Sequence, residues 1–185
     1  VAMILGDNFF YGQSLSKLLL SSIKLTKGAK VVLHKVLKPE LFGVAKVNSK
    51  KKIIKIKEKP KKFFSDLAIT GLYFFDNKVV NYAKKLKPSK RGEVEIVDLL
   101  NFYKLKKQLS ADLIGRGGAW LDTGSMDDFY KTSNFVSAIE NRQGLKIACL
   151  EEIAFSNKWI TKTDIKNSIK FYGNCDYSKY LSKLL

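Results

Sequence analysis

The chain opens with an apolar run, VAMIL, that stops at Gly6, Asp7 and Asn8. Five apolar residues ended by a glycine and a carboxylate are typical of a buried parallel strand with a polar group at its C-terminal end. Open α/β sheets bind ligands at that end of their strands. We therefore expect a ligand site near Asp7. The alternative is that Asp7 and Asn8 only form a turn.

A second stretch, AWLDTG at residues 119–124, repeats this order of a short apolar strand, an aspartate (Asp122) and a glycine. Mg²⁺ in proteins is usually held by one or two carboxylates, with water and substrate oxygens in its other positions. Asp7 and Asp122 are therefore candidate ligands of one ion. We predict that their carboxylates lie within about 10 Å of each other, since a wider gap is too large for one hydrated ion to bridge.

The formal net charge of +17 raises the hypothesis of a nucleic-acid partner. Among the 34 basic residues, however, only Arg91, Arg116 and Arg142 are arginines, and base readout and bidentate phosphate binding favour arginine. The lysines are also scattered through nearly every segment. We interpret the charge as a solvated, lysine-coated surface and expect no nucleic-acid partner.

A chain of 185 residues with 45% hydrophobic content is long enough for one domain with its own core. The sequence contains no apolar window of membrane-spanning length and no recognisable signal peptide, so we expect a cytoplasmic protein without a membrane partner. The two cysteines, Cys149 and Cys175, provide no disulfide framework and, with the single His34, no zinc-type ligand set. His34 is interpreted as an ordinary strand residue.

Periodicity predicts a mixed order of strands and helices up to residue 125. The predicted segments are a helix at 14–23, a strand at 30–36, a hairpin of 42–47 with 53–56, a strand at 67–75, helices at 78–86 and from 96, and strands at 109–114 and 119–121. From residue 126 the pattern becomes helical. We therefore predict an α/β fold with a mixed, mainly parallel sheet in residues 1–125, followed by a C-terminal helical tail in 126–185.

Seven short motifs together resemble one known family, the bacterial glucose-1-phosphate thymidylyltransferases. They are LGDNFFYG (5–12), FGV (42–44), EKP (58–60), ITGLYFFD (69–76), LKPSKRGE (86–93), GRGGAWLDTG (115–124) and RQGLKIACLEEIAF (142–155). The resemblance implies a Rossmann-like nucleotide-diphospho-sugar transferase fold, present here as a single partial domain over residues 1–185. It also implies an enzyme that converts dTTP and glucose 1-phosphate into dTDP-glucose and pyrophosphate. Its product would supply deoxysugars such as rhamnose for surface polysaccharide.

The resemblance also implies roles for individual residues. Asp7 and Asp122 would bind Mg²⁺, and the substrate-binding residues would be Asn8, Gly43, Glu58, Lys59, Ile69, Arg91 and Trp120. Within this set, Glu58 would accept hydrogen bonds from sugar hydroxyls, while Lys59 and Arg91 would bind the sugar phosphate. Gly43, Ile69 and Trp120 would line the sugar pocket, and Asn8 would lie near the nucleotide.

The family also has a glycine-rich loop on its first strand and a catalytic lysine soon after it, and neither has a counterpart in this sequence. The resemblance places the catalytic arginine and lysine upstream of Val1, so we interpret the chain as N-terminally truncated. We expect no nucleotidyl transfer by the isolated chain and exposed apolar surface at residues 1–5. The alternative is a non-catalytic remnant that binds sugar phosphate or associates with a full-length homologue.

The family resemblance finally implies a homotetramer with a regulatory site near its subunit contacts. That region would include Tyr11, Gly12, Arg116, Glu152 and Ile153. Ser156 stands at a position where the family has arginine. Because the segment 126–155 is more apolar than a lone surface helix needs, we predict that part of it forms a subunit interface in the intact parent enzyme. The alternative is that its apolar residues only cover their own sheet.

Overall fold

The computed structural model describes residues 1–89, 92 and 94–185, which form eight β-strands and seven α-helices. The strands are β1 (Ala2–Ile4), β2 (Asn8–Tyr11), β3 (Ala29–Lys35), β4 (Gly43–Val47), β5 (Ile53–Glu58), β6 (Leu67–Phe75), β7 (Leu109–Leu113) and β8 (Ala119–Asp122). The helices are α1 (Leu15–Ser22), α2 (Val79–Ala83), α3 (Ile96–Leu105), α4 (Met126–Gln143), α5 (Leu150–Ser156), α6 (Lys162–Tyr172) and α7 (Asp176–Ser182). The chain forms two compact units, Val1–Asp128 and Phe129–Leu185.

The larger sheet of the first unit has the order β5-β4-β6-β3-β7, and β1 also pairs with β6. The mixed α/β class predicted from the sequence is confirmed. The expected emphasis on parallel pairing needs correction: among the described strands of this sheet, β3 and β7 are parallel, and the other pairings are antiparallel. Among the antiparallel pairs, β4 and β5 are consecutive strands and form a hairpin, whereas β6 pairs with strands that lie further away in the chain.

The first strand also differs from its prediction as a buried parallel strand. β1 runs antiparallel to β6, with Ala2 opposite Phe74 and Ile4 opposite Leu72. Ile4 is 58% exposed, and Leu5 is exposed as well. The predicted exposure of apolar surface at this end of the chain is thus confirmed, whereas the burial inferred from five successive apolar residues is wrong.

β6 is the strand around which the first unit is built, because it pairs with β3 along one edge and with β4 and β1 along the other. Its side chains alternate between two hydrophobic clusters. Tyr73 and Phe75 pack with residues of α3, such as Leu100, while Leu72 and Phe74 pack on the opposite face, where α1 also contributes. Burial on both faces explains why this segment is apolar almost throughout.

The second unit has a separate small core in which Cys149, Ile165, Tyr180 and Leu181 are buried. Its longest helix after α4 is α6, which begins with a capping box formed by Thr161 and Asp164. The helical character predicted for residues after 126 is therefore observed. Within the described residues, the structure has no helix with the length and apolar content needed to cross a membrane.

Candidate functional site

β2 and β8 form a two-stranded antiparallel ladder that brings the two aspartate motifs together. Asn8 lies opposite Asp122, and Phe10 lies opposite Trp120. Asp7 immediately precedes this ladder, and Asp122 is the last residue of β8. The ladder therefore places both candidate metal ligands at the same end of one short pair of strands.

The carboxylates of Asp7 and Asp122 face the same small space beside Gly124. A Cβ atom on Gly124 would lie 2.9 Å from Asp122 Oδ1 and 3.7 Å from Asp7 Oδ2. The two oxygens are therefore separated by less than about 7 Å, a gap that one hydrated divalent ion can bridge. Asp122 Oδ1 also accepts a hydrogen bond of 2.8 Å from the Gly124 N–H, which holds its carboxylate in this position.

Asn8 connects Asp7 to the opposite strand and to the main sheet. Its Oδ1 atom accepts hydrogen bonds from Trp120 Nε1 at 2.6 Å and from the Gly71 N–H at 2.9 Å. Its Nδ2 atom donates to Asp7 Oδ1 at 2.8 Å. The polar groups of Asn8 thus bond mainly within the protein, although the resemblance assigned this residue to the nucleotide.

Gly43 and Glu58 are directly opposite each other in the β4–β5 ladder. A Cβ atom on Gly43 would lie 2.8 Å from Glu58 Oε2, so the carboxylate occupies the space that any other residue at position 43 would fill. Glu58 is exposed at the end of β5. An exposed carboxylate of this kind is available to accept hydrogen bonds from ligand hydroxyls.

Lys59 follows β5 in a left-handed backbone conformation, with φ of 36°. Its backbone N–H donates to the Phe42 carbonyl at 3.1 Å, which ties the segment after β5 to the start of β4. Pro60, which cannot donate to a sheet ladder, follows immediately. β5 therefore ends at Glu58, and the Lys59 side chain that follows it is exposed.

Tyr73, a buried residue of β6, is affected by the charges of two candidate site residues. Burial in β6, followed by the negative charges of Glu58 and Asp7, raises the pKa of Tyr73 to about 12. The phenol is therefore protonated at neutral pH. The negative charges of one sugar-side and one metal-side candidate residue therefore both act on this phenol.

Trp120 of β8 is buried and contacts residues on both sides of the candidate site. Its ring meets Phe42 edge to face at a centroid distance of 5.1 Å, and His34 lies 6.1 Å away. Phe42 immediately precedes Gly43, so the tryptophan joins the Asn8 network to the Gly43–Glu58 pair through one aromatic contact. Aromatic faces of this kind commonly line sugar and cofactor pockets.

The remaining predicted residues are less closely connected. Ile69 packs its side chain into the main hydrophobic core, and Arg91 lies outside the described residues. Tyr11 is paired with Ala119 in the β2–β8 ladder, whereas Glu152 accepts a hydrogen bond from the Tyr180 hydroxyl within the second unit. The regulatory role of Tyr11, Gly12, Arg116, Glu152 and Ile153 remains a prediction.

Several residues that shape the site were missed in the sequence. Thr123 donates to the Asp7 carbonyl, Gly124 leaves room for both carboxylates, Gly71 contacts the Asn8 amide, and the charges of Glu58 and Asp7 raise the pKa of Tyr73. Gly71 could have been identified from the sequence, because a glycine within a strand often marks the close approach of another group. Tyr73 carried only a weak signal, as the single hydroxyl-bearing aromatic residue in an apolar strand.

The chemistry of the donor set fits a hard divalent cation. The candidate ligands are two carboxylates. Among residues 1–89, 92 and 94–185, no group of three or more histidine, cysteine, aspartate or glutamate residues is placed to hold a metal ion. Softer metals usually recruit thiolates or imidazoles, whereas Mg²⁺ keeps water and substrate oxygens around one or two carboxylates.

Comparison with known proteins finds related sequences along the whole chain. The chain is 46% identical over 185 residues to the glucose-1-phosphate thymidylyltransferase of Neisseria gonorrhoeae, and 40% identical to that of Mycolicibacterium smegmatis. Each match covers all of this chain and 64% of the relative, so the chain spans less than two thirds of their length.

Two solved structures show the same fold. A Bacillus anthracis protein assigned as a glucose-1-phosphate thymidylyltransferase, in complex with sucrose, is 40% identical with a TM-score of 0.61, covering 72% of this chain and 53% of its own. A UDP-glucose pyrophosphorylase complexed with UDP-glucose is 25% identical with a TM-score of 0.63, covering 72% and 54%.

The family model described as nucleotidyl transferase matches residues 1–139, which include every strand and both candidate metal ligands. The resemblance read from seven short motifs is thereby confirmed. The chain belongs to the nucleotidyl transferase family.

Proposed function

We propose that the chain forms the metal-binding and sugar-phosphate-binding part of a glucose-1-phosphate thymidylyltransferase. The enzyme would transfer a thymidylyl group from dTTP to glucose 1-phosphate and release pyrophosphate. The observation that supports this most directly is the convergence of Asp7 and Asp122 around Gly124. The names of the Neisseria and Mycolicibacterium relatives supply the substrate class.

In this proposal Asp7 and Asp122 hold Mg²⁺. When bound, the ion would neutralise phosphate charge, which is the main electrostatic requirement of phosphoryl and nucleotidyl transfer. Asp122 is held by the Gly124 N–H, and Asp7 by Asn8. The protein therefore positions each carboxylate through one hydrogen bond and leaves other oxygen lone pairs available to the ion.

The sugar phosphate would lie on the side of Glu58 and Trp120. Glu58 would accept hydrogen bonds from sugar hydroxyls, and the ring of Trp120 would contribute an apolar wall beside Gly43. Lys59 and Arg91 would bind the phosphate, since cations form strong charge-assisted hydrogen bonds with phosphate oxygens. A phosphate oxygen held in this way is oriented for in-line attack on the α-phosphorus of the nucleotide, where positioning accounts for much of the rate.

The proposal extends to the setting of the whole enzyme. We propose that the enzyme is cytoplasmic and that its product supplies deoxysugars such as rhamnose. We also propose that it is a homotetramer. Exposed apolar residues on α4, among them Met126 and Phe129, support self-association.

Calorimetric titration of the chain with Mg²⁺, and then with glucose 1-phosphate, tests the proposal. Asp7→Asn and Asp122→Asn should each weaken Mg²⁺ binding by at least about tenfold, because each removes an anionic ligand. Asp98→Asn is the matched control, since Asp98 is an exposed residue of α3 and not part of the β2–β8 ladder. Equal Mg²⁺ affinity in all three variants and the unmodified chain would contradict the assigned metal site.

A further inference from the structure

Asn8 occupies a position that links the two halves of the candidate site. Its amide is bonded to Asp7 on one side and to Trp120 on the other, with Gly71 of β6 as a third partner. Asp7 belongs to the proposed metal site, whereas Trp120 belongs to the proposed sugar pocket. The Asn8 side chain bonds directly to both Asp7 and Trp120 and so connects the two.

The orientation of the Asn8 amide is determined by chemistry. The Gly71 N–H and the Trp120 indole N–H are both donors that cannot accept, so the group facing them must be the carbonyl oxygen. That oxygen has two lone pairs, and the two donors use both. The NH₂ group therefore has to face Asp7, and a rotation of the amide by half a turn would break all three bonds.

The fit around the amide is also tight. A Cβ atom on Gly71 would lie 2.7 Å from Cγ, Nδ2 and Oδ1 of Asn8, so the amide rests directly against the backbone of β6. The Trp120 ring is in turn held against Phe42. A displacement of the Asp7 carboxylate is therefore transmitted to Trp120 through the Asn8 amide, which has little room to move independently.

We propose that Asn8 is a positioning residue that couples ion binding at Asp7 and Asp122 to the Trp120 wall of the sugar pocket. The inference rests on the proposed function. The Asp7 carboxylate would shift on holding an ion, the Asn8 amide would follow its acceptor, and the indole N–H would follow the Asn8 carbonyl. Mg²⁺ and sugar phosphate then bind cooperatively, and each raises the affinity of the other by the same factor.

Tryptophan emission provides a readout that a merely structural role would not affect. The chain has two tryptophans, and Trp159 is 74% exposed in the second unit. In a Trp159→Phe background the emission reports on Trp120 alone. We expect Mg²⁺ to change this emission, and we expect Mg²⁺ to raise the affinity for glucose 1-phosphate by about fivefold or more, as is common for coupled sites.

Two substitutions interrupt the connection at opposite ends. Asn8→Asp keeps both acceptor bonds to Gly71 and Trp120 but replaces the donor that faces Asp7 with an anion. Trp120→Phe keeps an aromatic ring and the Asn8–Asp7 bond but removes the indole donor. Asn167→Asp, at an exposed position of α6, is the control for the added charge.

We expect Asn8→Asp to abolish the emission response, and both variants to make sugar-phosphate affinity independent of Mg²⁺, while Asn167→Asp retains the coupling. Retention of Mg²⁺-dependent sugar-phosphate affinity by Asn8→Asp or by Trp120→Phe would overturn the inference and leave the proposed function intact. Failure of the unmodified chain to bind either Mg²⁺ or glucose 1-phosphate would instead overturn the proposed function, and the inference with it.

Discussion

Thr123 donates two hydrogen bonds to the carbonyl oxygen of Asp7, one from its backbone N–H at 2.7 Å and one from its hydroxyl at 2.9 Å. The two bonds join the turn before β2 to the residue that follows β8. They fix the backbone of one candidate metal ligand to the residue directly after the other. The separation of the Asp7 and Asp122 carboxylates thus depends on a connection made by the main chain as well as by the β2–β8 ladder.

Thr123→Val should therefore weaken Mg²⁺ binding while leaving the ladder in place. The substitution keeps the shape and the backbone bond but removes the hydroxyl donor, whose net contribution is about 0.5–1.5 kcal/mol, equivalent to a loss of up to about tenfold in affinity. Calorimetric titration with Mg²⁺ measures the effect. Thr123→Ser retains the hydroxyl and should bind like the unmodified chain; equal weakening in both variants would show that the hydroxyl is not the cause.

Gly43→Ala should lower the affinity for glucose 1-phosphate with little change in stability. The new methyl group would lie 2.8 Å from Glu58 Oε2 and would displace the carboxylate, which sits at the end of a flexible, exposed side chain. Loss of a hydrogen bond to a charged group corresponds to roughly 1.5–3 kcal/mol, or about tenfold or more in affinity.

Gly6→Ala is the matched control for this substitution, because no heavy atom lies within 4 Å of a Cβ built at position 6. Both variants are titrated with glucose 1-phosphate in the presence of Mg²⁺. If Gly43→Ala binds as tightly as Gly6→Ala, Glu58 does not bind the sugar.

The sequence predicted which two aspartates meet at the candidate site better than it predicted how the strands around them are paired. Asp7 and Asp122 each stand at the end of a short apolar segment, a pattern that is visible in the sequence, and the structure does bring them together. The pairing direction of β1 was not predictable in the same way, because five apolar residues fit a buried parallel strand as well as a partly exposed antiparallel one. The partner, β6, decides between them.

The connections within the site were the least predictable part. Asn8 reads in the sequence as a turn residue or a ligand contact, yet it is the first residue of β2 and bonds to Gly71 and Trp120. These bonds join segments that are 63 and 112 positions apart. Local periodicity contains no information about such long-range contacts, which depend on how β2, β6 and β8 pack.

Stability should depend on pH through Asp76, which begins the connection between β6 and α2. Burial opposes ionisation of this carboxyl, but hydrogen bonds from the Gly28 N–H, the Tyr103 hydroxyl and the Lys78 N–H outweigh it and lower the pKa of Asp76. A lowered pKa in the folded state stabilises the protein above the ordinary aspartate pKa, and this contribution is lost as pH falls through the folded-state value.

Tyr103→Phe should therefore reduce the free energy of unfolding by about 1–3 kcal/mol at neutral pH, since it removes a buried 2.8 Å bond to a charged group. The deficit should shrink as pH falls below the ordinary aspartate range, because Asp76 then becomes neutral in both proteins. Urea denaturation followed by Trp120 emission in the Trp159→Phe background measures both effects. Tyr82→Phe, which removes a hydroxyl from a neighbouring ring, controls for the loss of the oxygen itself. If the loss in free energy of unfolding caused by Tyr103→Phe stays constant with pH, Asp76 is not the linked group.

The subunit interface predicted for residues 126–155 of the intact enzyme extends to a prediction for this chain, whose self-association should depend on α4. Met126, Phe129 and Tyr130 are exposed and recur at helical spacing, so they form one apolar strip at the start of this helix. Phe129→Asp should shift the chain toward its monomer mass of 21.0 kDa in light scattering at micromolar concentration. Asn134→Asp adds the same charge at another exposed position of α4 and should leave the assembly unchanged. A mass of 21.0 kDa for the unmodified chain under these conditions would contradict an interface on this strip.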